Sequence, residues 1–449
     1  MHTSSAPRTA DAPRHPVRRL VYMPTNRPFE AAFRSVAAEV AALPEEARHQ
    51  VTLLVVDDCP PQVSRANRQV VEDTAAASGV RGHVLDADGW ERLAHDILVA
   101  AALPPAEHTL AEHALCKPTG SYGAGPNKAA LVAAYVGAHT LHRRDSDQIT
   151  HVDPASGASP LRIEAELLDG GAAAGSKGAH CVGSSLTGRP TRDRRDLLHC
   201  SAEYVDRIDA LSRLTPAETR VVRPAAPARP EQLTTHGGVT AHRDHTGTVE
   251  MGIAAVRRVH EWIPEMPAVG VLGSDYFQKG LLYQLELPVW HHDMTAEHHY
   301  EPWRAEQTSA EHLGWYARAE LRYAVLRKHW NAFNEALMSQ RDLLLPDGQH
   351  FDSRAYAEFL VDTLARGAER AAPIPPAFVA LYREAAATAS GDVRRRLDIR
   401  VAALEAEAGT TERYVADAIG EFATLTRRWP ALVAAAGRLG SDGDLGRYA

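Results

Sequence analysis

The chain has 449 residues, 45% of them apolar and 24% charged, with a net charge of −8 at pH 7. That length predicts two or three compact units, and the apolar-to-charged balance excludes a disordered or membrane-embedded chain. The acidic balance argues against nucleic acid as the main partner, and no apolar run approaches the roughly 18–20 residues of a membrane span.

Residues 1–18 are polar and contain Pro, Ser and Ala without an apolar stretch, which predicts a loose tail and not a secretion signal. Arg19 to Met23 is a short apolar strand that stops at Pro24-Thr25-Asn26-Arg27-Pro28, and a helix-period segment follows from Phe29 to about Leu43. Val51 to Val56 is a continuous β-branched run ending in Asp57-Asp58. Such runs belong to strands buried on both faces, and strand–helix–strand order implies a parallel sheet. Gly120 to Gly125 forms a Gly-rich loop, after which Pro126-Asn127-Lys128 opens a helix through Ala138.

A short strand, Ala138 to His142, then leads through Arg143-Arg144 to Asp145-Ser146-Asp147. Further on, residues 154–169 read as helix, His180 to Leu186 as strand, and Thr215 to Thr248 as a long polar excursion. Val249 to Trp262 reads as a second helix. After Val269–Leu272 comes Gly273-Ser274-Asp275-Tyr276, then a helix-like stretch from Phe277 to Leu285 and the run Leu287-Pro288-Val289-Trp290-His291-His292. Beyond His299 the pattern stays helical to Arg438, with a break near Pro373–Pro376. The expected organisation is an α/β domain over residues 19–300 and an α-helical domain over 301–449. The widely spaced Cys59, Cys116, Cys181 and Cys200 contain no CxxC pair, as expected of reduced thiols in a cytoplasmic protein.

Asp145 and Asp147 are the residues most suggestive of chemistry. They stand at the carboxyl end of a strand, where open α/β sheets bind their ligands. Carboxylate oxygens suit Mg²⁺ or Mn²⁺, and these ions commonly bridge one or two carboxylates to substrate phosphates. Lys128 lies on the first turn of a helix, where anions are favoured, although the loop lacks P-loop spacing. Asp275 is either a general base or part of a helix cap. Among the late histidines, His291 and His292 stand ahead of His298 and His299 as a further metal ligand. Asp57 and Asp58 are either nucleotide ligands or a capped, solvated turn.

Taken in order, the strand ends PTNRP and VVDD, the Gly-rich loop with NK, and DSD, GSDY and VWHH resemble the GT-A glycosyltransferase fold. The likeness is strongest to its family 2 inverting enzymes and covers roughly residues 19–300. It implies a Rossmann-like, mostly parallel sheet flanked by helices, with residues 301–449 as an α-helical C-terminal extension. It further implies that Pro24, Thr25, Arg27, Asp57 and Asp58 hold the nucleotide, and that Lys128, Arg143 or Arg144 faces the diphosphate. Asp145 and Asp147 would hold Mg²⁺ or Mn²⁺ with a late histidine, and Asp275 would act as the base. Gly-Ser-Asp replaces the usual Gly-Glu-Asp, and the Arg143-Arg144 pair replaces apolar residues.

The acids, with a lysine loop before and histidines after, are also similar to retaining glucosyl-3-phosphoglycerate synthases. As a whole the chain resembles the validoxylamine glucosyltransferases of aminocyclitol antibiotic biosynthesis. The partners so implied are a nucleotide-sugar donor, UDP-glucose first, and a small polar acceptor. Two rival readings are a sugar nucleotidyltransferase and a binding protein without catalysis. The first requires a Gly-rich basic signature after the first strand, where this chain has Pro24-Thr25-Asn26-Arg27-Pro28.

Overall fold

The computed structural model describes residues 18–117, 121–170, 178–188, 194–211, 239–241, 249–299, 309–346, 350–370, 374–440 and 445–449. The expected tail, Gly120 and most of the passage 215–248 lie outside these. The chain begins with β1 (Arg19–Thr25), α1 (Glu30–Ala41), α2 (Glu45–Arg48), β2 (Val51–Asp57), α3 (Pro61–Ser78) and β3 (Gly82–Leu85). Next come α4 (Ala87–Ala101), α5 (Pro105–Leu115), α6 (Ala124–Val136), β4 (Thr140–Arg143), β5 (Gln148–Ile149) and α7 (Pro160–Leu168). They lead to β6 (Cys181–Gly183), β7 (Leu186–Gly188), α8 (Arg195–Cys200), α9 (Ala202–Leu211) and β8 (Val239–Ala241). The last strands are β9 (Ala254–Arg257), β10 (Val289–His292) and β11 (Ala296–His298), with a helix Phe277–Gln284 before β10.

An eight-stranded sheet has the order β3-β2-β1-β4-β9-β6-β10-β8. β1 pairs in parallel with both β2 and β4, and β6 with β10, while β9 and β8 run against their neighbours. A mostly parallel sheet flanked by helices, followed by an α-helical C-terminal part, is the architecture expected from the sequence.

Period-two alternation splits β1 and β2 between two cores. Val21, Met23, Leu53 and Val55 face Phe33 and Val36 of α1 and Val71 of α3. Leu20, Tyr22, Leu54 and Val56 face Leu93 and Ile97 of α4, Leu131 of α6, and Trp429 and Leu432 of the helix Thr411–Gly440. The helix Thr411–Gly440 therefore packs over α4, α5 and α6, the last of which lies against β1, β2 and β4. Side chains of the C-terminal helices, among them Phe333, Phe378 and Phe422, pack against Leu197 and Val205 of α8 and α9 and against Phe277 and Leu281.

Three elements differ from the expectation. Val249–Trp262 is not one helix: Met251–Ile253 is a short 3-10 turn, Ala254–Arg257 is β9, and only Val259–Trp262 is helical. Ala254, Ala255 and Val256 are small and buried on both faces between β4 and β6, and periodicity does not separate such a run from a buried helix. The single run at His180–Leu186 is two strands, because Ser184-Ser185 breaks the pairing and β7 joins a second sheet ordered β5-β11-β7. The helix expected over 154–169 begins only at Pro160. Asp153 first accepts hydrogen bonds from Ala155 N and Ser156 Oγ in a turn completed by Gly157 at φ +66°.

Candidate active site

The order β3-β2-β1 on one side and β4 on the other makes β1/β4 the point where the strand order reverses, and crevices at such points bind ligands. Arg27 follows β1 and Asp145–Asp147 follows β4, so the topology itself brings them together. Thr25 shapes the loop after β1, its Oγ1 donating to Arg27 O at 2.8 Å and accepting from Arg27 N at 3.2 Å. Arg27 Nη1 then donates to Asp147 Oδ2 at 3.0 Å. The first turn of α6 lies close against the end of β1: a Cβ on Gly125 would come within 2.9 Å of Pro24 Cβ.

Arg143 is the hub of the second half. Its Nε donates to Asp145 Oδ1 at 2.7 Å and its Nη1 to Asp275 Oδ2 at 2.7 Å. A cavity beside it is lined by Tyr22, Pro126, Met251, Glu265, Asp275 and Gln278, among others. Burial pushes the Asp145 carboxyl above its ordinary range, Arg143 opposes that rise, and Asp147 and Asp275 add to it. Glu265, fully buried, is driven well above the usual carboxylate range by burial and by Asp275, with the amides of Phe277 and Gln278 opposing. Those amides donate to Glu265 at 2.7 and 3.3 Å, so Glu265 caps the helix Phe277–Gln284. Neither Ser274 nor Asp275 serves as that cap, and Asp275 instead meets Arg143.

Lys128 is buried with its Nζ 2.5 Å from Asp58 Oδ1 and lies over the Trp90 ring. Asp57, by contrast, accepts from Cys59 N at 2.9 Å and Asn67 Nδ2 at 3.2 Å, which ties the β2–α3 turn together.

Two expectations need correction. Arg144 does not face the cleft; it is wholly buried between Glu39 and Glu164. A side chain one residue from Arg143 on a strand points to the opposite face of the sheet. The histidine beside the acids is His298, whose Nε2 is 3.5 Å from Asp147 Oδ2. His291 instead meets Ser185 Oγ at 2.9 Å, and His292 lies 3.9 Å from Glu164. Strand pairing explains the difference. β10 belongs to the large sheet, whereas β11 pairs with β5 so that His298 stands opposite Gln148 and His299 N donates to Asp147 O at 2.7 Å.

Asp147 offers a carboxylate oxygen, which suits Mn²⁺ or Mg²⁺, and His298 adds an imidazole nitrogen, a common metal ligand, with Asp145 beside them. Among the described residues no group of three or more His, Cys, Asp or Glu side chains is already gathered as a metal centre. Such ions commonly take only one or two carboxylates and complete their shell with water and substrate phosphate. Glu39, Glu164 and Glu265 carried no signal in the sequence, since each is a lone carboxylate outside any motif.

The fold and site define an α/β protein with a charged crevice at the switch point of a mostly parallel sheet. The chain belongs to the family described as "Family of unknown function (DUF6271)", matched over residues 18–210 and 225–443. No curated protein matches it. Among solved structures, glucosyl-3-phosphoglycerate synthase from Mycobacterium tuberculosis with Mn²⁺, UDP-glucose and phosphoglyceric acid is similar at 15% identity and TM-score 0.36, covering 69% of this chain and 79% of that one. A mannosyltransferase from Pyrobaculum calidifontis with GDP-Man and Mn²⁺ is similar at 12% identity and TM-score 0.37, covering 89% of each chain. S. aureus TarS 1-349 is similar at 11% identity and TM-score 0.36, covering 87% of this chain and 91% of that one.

Proposed function

We propose that this protein is a GT-A-type, divalent-metal-dependent glycosyltransferase that moves a sugar from a nucleotide donor to a hydroxyl of a small polar acceptor. The observation that carries this reading is the charge arrangement at the switch point. Asp145 and Asp147 each lie against an arginine, Arg143 and Arg27, at the mouth of the β1/β4 crevice. Three carboxylates, Asp145, Asp147 and Asp275, face these two guanidinium groups. A diphosphate entering there meets net negative charge unless a divalent cation enters with it.

Asp147, His298 and Asp145 are the residues that would hold the ion, which when bound supplies Lewis-acid stabilisation of the departing nucleoside diphosphate. Arg27 and Arg143 are placed to donate to phosphate oxygens in exchange for carboxylates, because guanidinium matches both anions bidentately. Lys128, Asp58 and the Pro24–Thr25 turn bound the nucleotide side. Asp275, at the far end of Arg143, takes the acceptor proton, which gives inversion. The donor proposed is UDP-glucose and the acceptor a validoxylamine-like pseudo-sugar, on the sequence resemblance.

Arg143 Nη1 donates to Asp275 Oδ2 at 2.7 Å, so that oxygen already has a partner. This favours a second reading, in which Asp275 orients the donor sugar and transfer is retaining; the anomeric configuration of the product, read by NMR, separates the two. Calorimetric titration with UDP-glucose and GDP-mannose, with and without Mn²⁺, tests the class. Binding that ignores the metal, or no binding, sinks it. Asp147→Ala is expected to lose turnover at least a hundredfold while melting like the native protein.

A further inference from the structure

Behind the crevice lies a cluster of buried charge that the reaction does not touch. Glu39 of α1 accepts from Arg144 Nε at 3.0 Å and Thr150 Oγ1 at 2.6 Å through Oε1, and from Arg144 Nη2 at 3.2 Å and Leu161 N at 2.7 Å through Oε2. Glu164 of α7 accepts from both terminal nitrogens of Arg144 at 3.1 Å and meets His142 Nδ1 at 2.7 Å, with His292 Nε2 at 3.9 Å. Ser35, also on α1, accepts from Thr150 N at 3.2 Å. Glu39, Glu164, Arg144, His142 and His292 are fully buried.

These contacts bracket the acidic segment. Arg144 immediately precedes Asp145, and Thr150 comes just after β5, the strand that pins His298 opposite Gln148. His292 ends β10, the strand before β11. The cluster thus grips the chain on both sides of Asp145–Asp147 and on the approach to His298. Two carboxylates there face one guanidinium. Burial works against that charge, but Arg144 and the hydrogen bond from His142 overcome it and hold Glu164 below the usual carboxylate range.

We infer that Glu39 and Glu164 are positioning residues: through Arg144 and Thr150 they set the spacing of Asp145, Asp147 and His298, and so the affinity of the site for a divalent cation. This rests on the metal-dependent reading above. Groups that orient ligating side chains without touching the metal commonly govern affinity by 10–100-fold, because a ligand free to wander must be ordered on binding. A serine or alanine in place of Glu39 leaves Arg144 with one carboxylate partner, whereas Gln keeps the shape. Gln, however, replaces one acceptor oxygen with an amide donor, which cannot satisfy the donors on that side. It also leaves one carboxylate for one guanidinium, so the cluster is not left with an uncompensated charge.

The test measures Mn²⁺ binding to the full chain, alone and with UDP, by the EPR signal of free Mn²⁺. Glu39→Gln and Glu164→Gln are expected to weaken it roughly tenfold or more. Thr150→Val, which removes one hydroxyl from the clamp, is expected to weaken it less, and serves if either Gln variant does not fold. Glu320→Gln is the control. It sits in a separate buried network with Arg194 and Tyr382 among the C-terminal helices and should lower the melting temperature while leaving Mn²⁺ affinity unchanged. Native-like affinity in the clamp variants that fold overturns the inference alone, as does an equal loss in Glu320→Gln. A native protein that binds no Mn²⁺ overturns the metal reading and this inference with it.

Discussion

Gly252 shows how closely the backbone approaches the candidate site. A Cβ there would come within 2.5 Å of Asp145 Oδ2 and would also strike Gln148 Nε2, and Gly252 O already accepts from Asp145 N at 3.1 Å. Gly252→Ala must push the Asp145 side chain or β5 aside. Overpacking of this kind costs about 1–3 kcal/mol, and we expect Mn²⁺-dependent donor binding to fall further than the melting temperature suggests. A second residue sets acid sensitivity. His260 is completely buried, and burial, with Arg258 and His139 adding, pushes its pKa down to about 3. Its folded-state pKa lies below the unfolded one, so the unfolded chain binds the extra proton between these values. Stability is therefore intact above about pH 6.5 and is lost as pH falls toward 3. Near pH 5 the loss from this residue alone is roughly 2 kcal/mol, from 1.36 kcal/mol per pH unit. Urea unfolding of His260→Leu at pH 7 and pH 5 should show a correspondingly smaller drop than the native chain; an equal drop rejects the assignment.

Among elements, the start of α6 does two jobs. Lys128 reaches Asp58, while Asn127 Nδ2 donates to Glu265 O at 2.8 Å and Asn127 Oδ1 accepts from Glu265 N at 2.7 Å. That two-way link fastens α6 to the segment whose Glu265 side chain caps the helix Phe277–Gln284, beside Asp275. Asn127→Ala leaves two buried backbone groups without partners, each costing about 1–3 kcal/mol. We expect a clear loss in the urea midpoint, together with weaker activity. The β5–β11 pairing is the other decisive element: two short strands, outside the main sheet, choose His298 over His291 and His292.

For the molecule as a whole, the C-terminal helices are part of the sheet's packing. Trp429 Nε1 donates to His260 O at 2.8 Å, and Trp429, Leu432, Ala435 and Ala436 share one apolar cluster with β1, β2, α4 and α6. Ending the chain before Thr411 would expose that cluster to water. A chain of residues 1–409 is expected to aggregate or to bind ANS strongly; a soluble, cooperatively melting product would show that residues 19–300 fold without the helix Thr411–Gly440.

What the sequence determined by itself is local. The β-branched run Val51–Val56, the apolar Arg19–Met23 and the punctuation by Pro24 and Asp57-Asp58 define parallel strands and their carboxyl ends, because period and turn chemistry are properties of a short window. The placing of Asp145 and Asp147 at a strand end followed from the same signals. Only the tertiary structure decided which of two adjacent arginines faces the crevice, since Arg143 and Arg144 differ by one residue and hence by one face of the sheet. It alone decided which histidine meets Asp147, because pairing between strands nearly 150 residues apart leaves no mark in either segment. It also turned Ala254–Arg257 from an expected helix into an antiparallel strand, since small apolar residues buried on both faces carry no period of their own. The buried carboxylates Glu39, Glu164 and Glu265 are the far end of this contrast: each reads as an ordinary polar residue until the fold removes it from water and supplies its partners.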